Sequence, residues 1–111
     1  MNYSTTEHVI GTCPDGSTLY EKSIDFGALP NNTSKTVNHN ISNLGIVYAV
    51  FGTTARSDGT GHPLPIVAIS GADVGSQTYM YYNKTAVGIV TNSDRSNYVH
   101  TWITMHYSKT S

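Results

Sequence analysis

The sequence predicts an all-β protein, an antiparallel β-sandwich of jelly-roll type with about eight strands. Segments rich in β-branched and aromatic residues recur about every dozen residues, each bounded by Gly, Pro, Asn, Asp or Ser. Apolar residues nowhere show the spacing that gives a helix one apolar face. Short strands at this interval are typical of sandwiches and jelly rolls. With 111 residues the chain is long enough for one domain with one core.

Eight strands are predicted in order along the chain, at residues 5–11, 18–27, 34–42, 45–55, 63–70, 77–82, 85–91 and 97–108. The segments between them carry residues that tolerate positive φ or cap turns, such as Asp15-Gly16, Asn31-Asn32 and Asp58-Gly59. Asn83-Lys84 is short enough to form a two-residue hairpin loop.

The pattern of apolar residues differs between these strands. Residues 37–41 alternate cleanly, which predicts one dry and one wet face. Residues 46–51 are continuously apolar, and residues 98–107 place large side chains on both faces. Because a sandwich covers only the inner face of each sheet, the outer faces of these two strands need a further cover. Loops or another subunit could provide it, and we favour a subunit interface.

Composition, charge and terminal sequence argue against several classes of function. Charged residues are 12% of the chain and the formal net charge is -1, so no basic field is present to attract nucleic acid. The single Cys13 cannot form an intrachain disulfide. The N-terminus lacks the features of a signal peptide. The sequence also contains no run of about 18 apolar residues, the length that would predict a membrane-spanning helix.

Several short motifs resemble a known family in number and order. They are Tyr3-Ser4-Thr5-Thr6-Glu7, Gly11-Thr12, Asp15-Gly16, Leu19-Tyr20-Glu21-Lys22, Gly27-Ala28-Leu29-Pro30-Asn31, Lys35-Thr36-Val37-Asn38-His39-Asn40-Ile41, Arg95-Ser96-Asn97-Tyr98 and Tyr107-Ser108-Lys109-Thr110. Together they resemble the C-terminal head domain of tail-fibre and baseplate receptor-binding proteins of phages that infect Gram-positive bacteria. Two positions depart from the family pattern, because Cys13 stands where a Trp is expected and Asn40 where a Gly is expected. The second departure suggests a turn at Asn40 that tolerates a side chain.

The resemblance implies a homotrimeric head at the tail tip of a virion, made in the host cytoplasm and released by lysis. Residues 1–17 would then form the strand that enters from a fibre stem, and residues 18–111 the sandwich. The motifs begin almost at Met1 and leave no room for a stem, so we expect a longer natural protein. Its partners would be a host cell-surface glycan or wall polymer, the other two subunits, and the rest of the fibre or baseplate.

Saccharide binding needs aromatic faces that stack on sugar C–H groups and planar polar groups that bind hydroxyls. The turn from Asn92 to Tyr98 is the preferred candidate, and the Gly-rich segment from Arg56 to Pro65 is the second. The predicted ligand-binding residues are Asp58, Tyr81, Asp94, Arg95, Asn97, Tyr98 and Trp102. Packing of the tyrosines within the sandwich or an interface is the alternative for each ring.

Neither metal binding nor catalysis is predicted, and no cofactor is expected. His39 shares a face with Val37 and Ile41, which favours a hydrogen-bonded position in the core or in an interface over a ligand role. His100 and His106 share a strand face but lie about 20 Å apart on an extended strand, too far to bind one metal. The acidic residues mostly flank Gly or Ser in turns and form no evident carboxylate pair for glycan hydrolysis. A structural trimerisation cap and, less favoured, a glycan depolymerase are the alternative functions.

Overall fold

The computed structural model describes residues 5–64 and 78–110. Eight strands form in this part of the chain, and they are β1 His8–Thr12, β2 Thr18–Asp25, β3 Ser34–Asn38, β4 Leu44–Arg56, β5 Gly61–Leu64, β6 Thr78–Tyr82, β7 Ala86–Thr91 and β8 Tyr98–Lys109. No helix occurs among the described residues. The predicted all-β class and strand number are therefore confirmed.

The strands form two antiparallel sheets. The larger has the order β1-β2-β8-β4-β5, and the smaller has the order β3-β7-β6. β2 pairs with β8, and β3 pairs with β7. The second pair lies between the members of the first pair in sequence, so the pairings are nested. Nested long-range pairing of this kind belongs to jelly-roll connectivity. It also brings residues that are distant in sequence to the same end of the sandwich.

Strand ends differ from the sequence prediction where local backbone chemistry intervenes. The first strand begins at His8 rather than residue 5, and the third ends at Asn38 rather than residue 42. Asn40 has φ +56°, which takes it out of extended geometry, and its backbone N–H donates to Oδ1 of Asn38 at 2.7 Å. The predicted turn at Asn40 is thus confirmed. The predicted strand 63–70 is seen as Gly61–Leu64, and residues 65–70 lie outside the described residues.

The core lies between the sheets. It contains Ile24, Ile103, Met105 and Tyr107 from the larger sheet and Val87 and Ile89 from the smaller, joined by loop residues Phe26, Leu29 and Ile41. His39 is 1% exposed and hydrogen-bonded on both ring nitrogens. Nδ1 accepts from the backbone N–H of Ile41 at 3.1 Å, so Nε2 carries the proton and donates to the Asn83 carbonyl at 3.0 Å. His39 therefore lies in the core, one of the two environments predicted for it.

The middle of β8, residues 103–105, is buried on both faces, whereas residues 99 and 100 near its start are exposed. Ile103 and Met105 face the core, while Thr104 on the outer face is also fully buried and shares a 2.9 Å hydrogen bond with Ser23 on β2. The sequence predicted that loops or another subunit would cover the outer face of this strand. At Thr104 residues of the same chain already bury that face. On β4, Ile46 and Tyr48 stay 57% and 39% exposed.

β1 is an edge strand held mainly by polar anchors, because residues 9–12 are all exposed. Glu7, just before it, accepts hydrogen bonds from the Tyr107 hydroxyl at 2.6 Å and Lys109 Nζ at 2.8 Å. On the other side of the strand, His8 Nε2 lies 3.2 Å from Glu21. Glu21 also contacts His106 Nε2 at 2.7 Å. The predicted boundary after residue 17 falls in the β1–β2 turn, across which the two strands pair.

The hydrogen bond between Glu7 and Tyr107 shifts the pKa of both side chains. Burial by itself would raise the pKa of Glu7, but the hydrogen bonds from Lys109 and Tyr107 outweigh it and hold the pKa below its usual value. Burial, reinforced by the Glu7 carboxylate, raises the pKa of Tyr107 far above its usual range. Glu7 therefore stays ionised and Tyr107 stays a hydrogen-bond donor.

Candidate functional site

The two loops favoured by the sequence meet at one end of the sandwich. Arg56 ends β4 and pairs in register with Tyr98, the first residue of β8. Arg56 Nη2 lies 3.3 Å from the Tyr98 hydroxyl, and His62 Nε2 on β5 lies 3.2 Å from the same oxygen. We call Arg56, His62, Arg95 and Tyr98 the Tyr98 cluster. Sheet register thus joins residues 56–64 to the Asn92–Tyr98 segment, a pairing that the sequence did not predict. Pro65, the last residue of the predicted Arg56–Pro65 segment, lies outside the described residues.

Tyr98 is the buried centre of this cluster. Tyr98 is 3% exposed. The guanidinium carbon of Arg56 lies 5.0 Å from the centroid of its ring, and the guanidinium carbon of Arg95 lies 5.8 Å from the same centroid. The His62 ring packs at 5.7 Å in a tilted arrangement. A ring enclosed in this way has no open face on which a sugar could stack. The Tyr98 ring instead packs against the side chains of Arg56, Arg95 and His62.

The other residues predicted in the Asn92–Tyr98 turn have different environments. Asp94 is exposed and its Oδ1 accepts from the backbone N–H and hydroxyl of Ser96 at 3.0 and 2.7 Å. These hydrogen bonds hold the pKa of Asp94 below its usual value. Arg95 donates its backbone N–H to the Pro30 carbonyl at 3.2 Å, and Asn97 lies exposed in the turn. Asp94 is therefore a turn cap, and Asn97 is free of burial constraints.

Asp58 caps the turn of the β4–β5 hairpin in the same way as Asp94 caps the turn before β8. Its Oδ1 accepts from the backbone N–H and hydroxyl of Thr60 at 3.0 and 2.8 Å. These hydrogen bonds, with a smaller contribution from the charge of Arg56, lower the pKa of Asp58. A cleft of about 350 Å³ lies beside this hairpin, with His62 and the backbone of Gly59 and Gly61 on its wall.

Trp102 and Tyr81 lie on opposite outer faces of the sandwich. Trp102 is partly buried and adjoins the core residue Ile103, so it faces outward from the larger sheet between Asp25 and Thr53. Tyr81 faces outward from the smaller sheet, since its neighbour Met80 packs on the core. The structure does not bring these two predicted residues together within one chain.

Tyr79 and Tyr81 form a second surface, which we call the tyrosine platform. Both lie on the outer face of β6 and are 49% and 39% exposed. Tyr81 pairs in register with Gly88 on the central strand β7 and lies over it. A Cβ at Gly88 would lie 2.6 Å from the Tyr81 hydroxyl oxygen and closer still to the ring carbons. Only a glycine leaves room for the ring in this position.

Polar side chains adjoin the tyrosine platform. Thr36 and Ser34 on β3 pair with Gly88 and Val90 on the side of β7 opposite β6, and both are exposed. Two strand spacings, about 10 Å, separate them from the tyrosine rings. The outer face of the smaller sheet thus presents aromatic rings on β6 and hydroxyl groups on β3.

Sequence reasoning missed Arg56, His62 and Gly88 as individual members of these surfaces. Arg56 and Tyr98 are 42 residues apart, and only strand register places them side by side. Gly88 lies in an apolar strand and gives no sign in sequence of the ring above it. An isolated glycine within a strand pattern was the one available signal, since it often marks a close approach.

Within residues 5–64 and 78–110, no three His, Cys, Asp or Glu side chains gather in a way that would hold a metal ion. In the same part of the chain, no helix has the length and apolar character needed to cross a bilayer. Comparison with protein families, curated proteins and solved structures found no match. Function must therefore be argued from the surfaces themselves.

Proposed function

We propose that this chain is the head domain of a phage tail fibre or related receptor-binding protein, and that it attaches the virion to a host cell-surface saccharide without covalent chemistry. The tyrosine platform carries this proposal. Tyr81 is held in place over Gly88 while much of the residue stays exposed, so its ring is available and already positioned. Positioning a ring before binding reduces the ordering cost that a weak ligand must offset.

The same contact has a structural explanation, since an aromatic side chain over a strand glycine can also stabilise a sheet. Exposure favours the binding role. Tyr79, next on the same face, is about half exposed and offers a second ring beside the first. Two neighbouring rings with Ser34 and Thr36 hydroxyls across the sheet suit an extended saccharide chain.

Homotrimer formation is part of the proposal. Exposed apolar side chains remain on the two long strands, with Ile46 and Tyr48 on β4 and Val99 on β8. Association of three chains would cover such surface and would display three weak saccharide sites together. Light scattering tests this part: we expect a mass three times the 12.0 kDa of the chain. A monomer at every concentration would refute trimer formation by this chain.

The binding test uses labelled protein and purified host cell walls. We expect Tyr81→Ala to weaken attachment about ten-fold, the loss of one stacking contact, while Tyr81→Phe retains it. Tyr82→Ala is the matched control, because Tyr82 is similarly exposed on the same strand but faces the other side. Equal attachment of the Tyr81→Ala and Tyr82→Ala variants would refute the platform. Loss of trimer mass in Tyr81→Ala would instead favour the structural trimerisation cap.

A further inference from the structure

We propose that a polar cleft at one side of the sandwich binds a single unit of a neutral saccharide, at a place distinct from the tyrosine platform. The cleft has a volume of about 230 Å³ and is lined by the end of β2 and by the residues from the end of β3 into the following turn. β1 pairs with β2 only as far as Glu21 and does not flank residues 22–25 of β2. β3 is the outermost strand of the smaller sheet. We call this cleft the edge cleft, and the residues that define it are Lys22, Ile24, Asp25, Val37, Asn38 and Asn40.

The edge cleft has an apolar floor and a polar rim. Ile24 is buried in the core, and Val37 packs against the core from β3. The polar members are more open to solvent, with Lys22 half-buried and Asp25, Asn38 and Asn40 exposed. Small-molecule sites commonly combine apolar walls with a few polar groups that fix orientation, and sites for drug-sized ligands measure about 300–1,000 Å³. A cleft of about 230 Å³ therefore suits one sugar unit, whose C–H groups can pack on the floor while its hydroxyls meet the rim.

The rim keeps both donors and acceptors available for a ligand. Lys22 Nζ donates to the Asn40 carbonyl at 3.2 Å, which uses one of the three N–H groups of the ammonium. Asn38 accepts from the Asn40 backbone N–H through Oδ1 at 2.7 Å, so its NH₂ group is left to donate. Asp25 Oδ1 accepts from the Gly27 N–H at 3.2 Å, and Oδ2 forms no hydrogen bond with any described residue. A ligand with several hydroxyl groups can use all of these positions.

The charges of the rim favour a neutral ligand over an ion. Lys22 and Asp25 carry opposite charges and line the same cleft. An anionic ligand would meet the Asp25 carboxylate, and a cationic ligand would meet the Lys22 ammonium group. A hydroxyl group suits both, because it can donate to a carboxylate and accept from an ammonium group. Since the choice among polyhydroxyl ligands rests on the proposed function, saccharide attachment, a sugar unit is the ligand expected here.

The wall of the edge cleft is fixed before any ligand binds. His39 also lines the cleft, is 1% exposed and has both ring nitrogens hydrogen-bonded. Asn40 donates its backbone N–H to Asn38 and accepts from Lys22 through its carbonyl. Groups that are already in place reduce the ordering cost of binding a small ligand. Because Lys22 helps to hold Asn40, a substitution at Asp25 tests ligand binding with less effect on the wall.

The test is an NMR titration of backbone amides at constant ionic strength, with glucose, galactose, N-acetylglucosamine and inorganic phosphate as probes. We expect saturable shifts at Lys22, Asn38 and Asn40 with at least one sugar and none with phosphate. No shift at these amides with any of the three sugars, or shifts with phosphate as large as those with the sugars, would overturn the proposal. Shifts at Tyr79 and Tyr81 alone would overturn the edge cleft and support the tyrosine platform. Shifts at the cleft alone would support the cleft and count against the platform.

Two matched variants assign the site. Asp25→Asn keeps an oxygen that can accept from the Gly27 N–H but loses the charge on the acceptor, so we expect sugar binding to weaken about five-fold. Asp15→Asn is the control, because Asp15 accepts in the same way from the N–H of Ser17, two residues ahead, and does not line the cleft. Equal affinities of the wild type and Asp25→Asn, or an equal loss in Asp15→Asn, would overturn the assignment of the sugar to the edge cleft.

Discussion

Glu7 offers a direct test of how β1 is held on the sheet. In Glu7→Gln the amide can still accept from the Tyr107 hydroxyl, but the ion pair with Lys109 and the charge on the acceptor are lost. A hydrogen bond to a charged group contributes about 1.5–3 kcal/mol and an exposed ion pair about 0.2–1 kcal/mol. Because Glu7 keeps 28% of its side chain exposed, we expect a loss near the low end, about 1.5 kcal/mol at pH 7. That corresponds to roughly 6 °C in Tm.

The pH dependence gives this prediction its sign. The folded-state pKa of Glu7 lies below its usual value of 4.5. Its contribution is therefore complete above the unfolded-state pKa and is lost as the pH falls through the folded-state pKa. We expect the difference between wild type and Glu7→Gln in urea unfolding to be full at pH 7 and to shrink steadily in acid.

A double-mutant cycle with Tyr107→Phe provides the control. With the hydroxyl removed, Glu7→Gln should cost less than in the wild type, because the two groups interact directly. A difference between wild type and Glu7→Gln that stays constant from pH 7 to strong acid would refute the ionised Glu7 anchor. So would strict additivity of the two substitutions.

Two further predictions concern backbone positions. Gly88→Ala should lower the free energy of unfolding by about 1–3 kcal/mol, because the new Cβ collides with Tyr81. In a Tyr81→Ala background the same substitution should cost little. An equal cost in both backgrounds, measured by urea unfolding, would contradict the packing of Tyr81 over Gly88. Asn40→Gly should raise stability by up to about 1 kcal/mol and Asn40→Ala should lower it, because Asn40 has φ +56°; equal Tm values for the two variants would show that this φ carries no cost.

Much of the strand pattern was readable from local sequence. The β2, β4, β7 and β8 boundaries agree with prediction to within two residues, because their runs of β-branched and aromatic residues end at turn-forming residues. The cap at Asp58 was equally local, since a short polar side chain accepts from a backbone N–H two residues ahead. The early end of β3 was less visible, because His39 and Ile41 stay buried beyond the last strand residue.

The sequence by itself determined the all-β class, the eight strands of the described residues and a hydrogen-bonded rather than metal-ligating role for His39, because these depend on residue periodicity and local turn chemistry. Tertiary structure alone decided which candidate residues meet. Long-range register placed Tyr98 against Arg56 and Tyr81 over Gly88, and it separated Trp102 from Tyr81 on opposite faces. Such pairings depend on which strands become neighbours in a sheet, and a one-residue change in register would turn every one of these side chains to the other face.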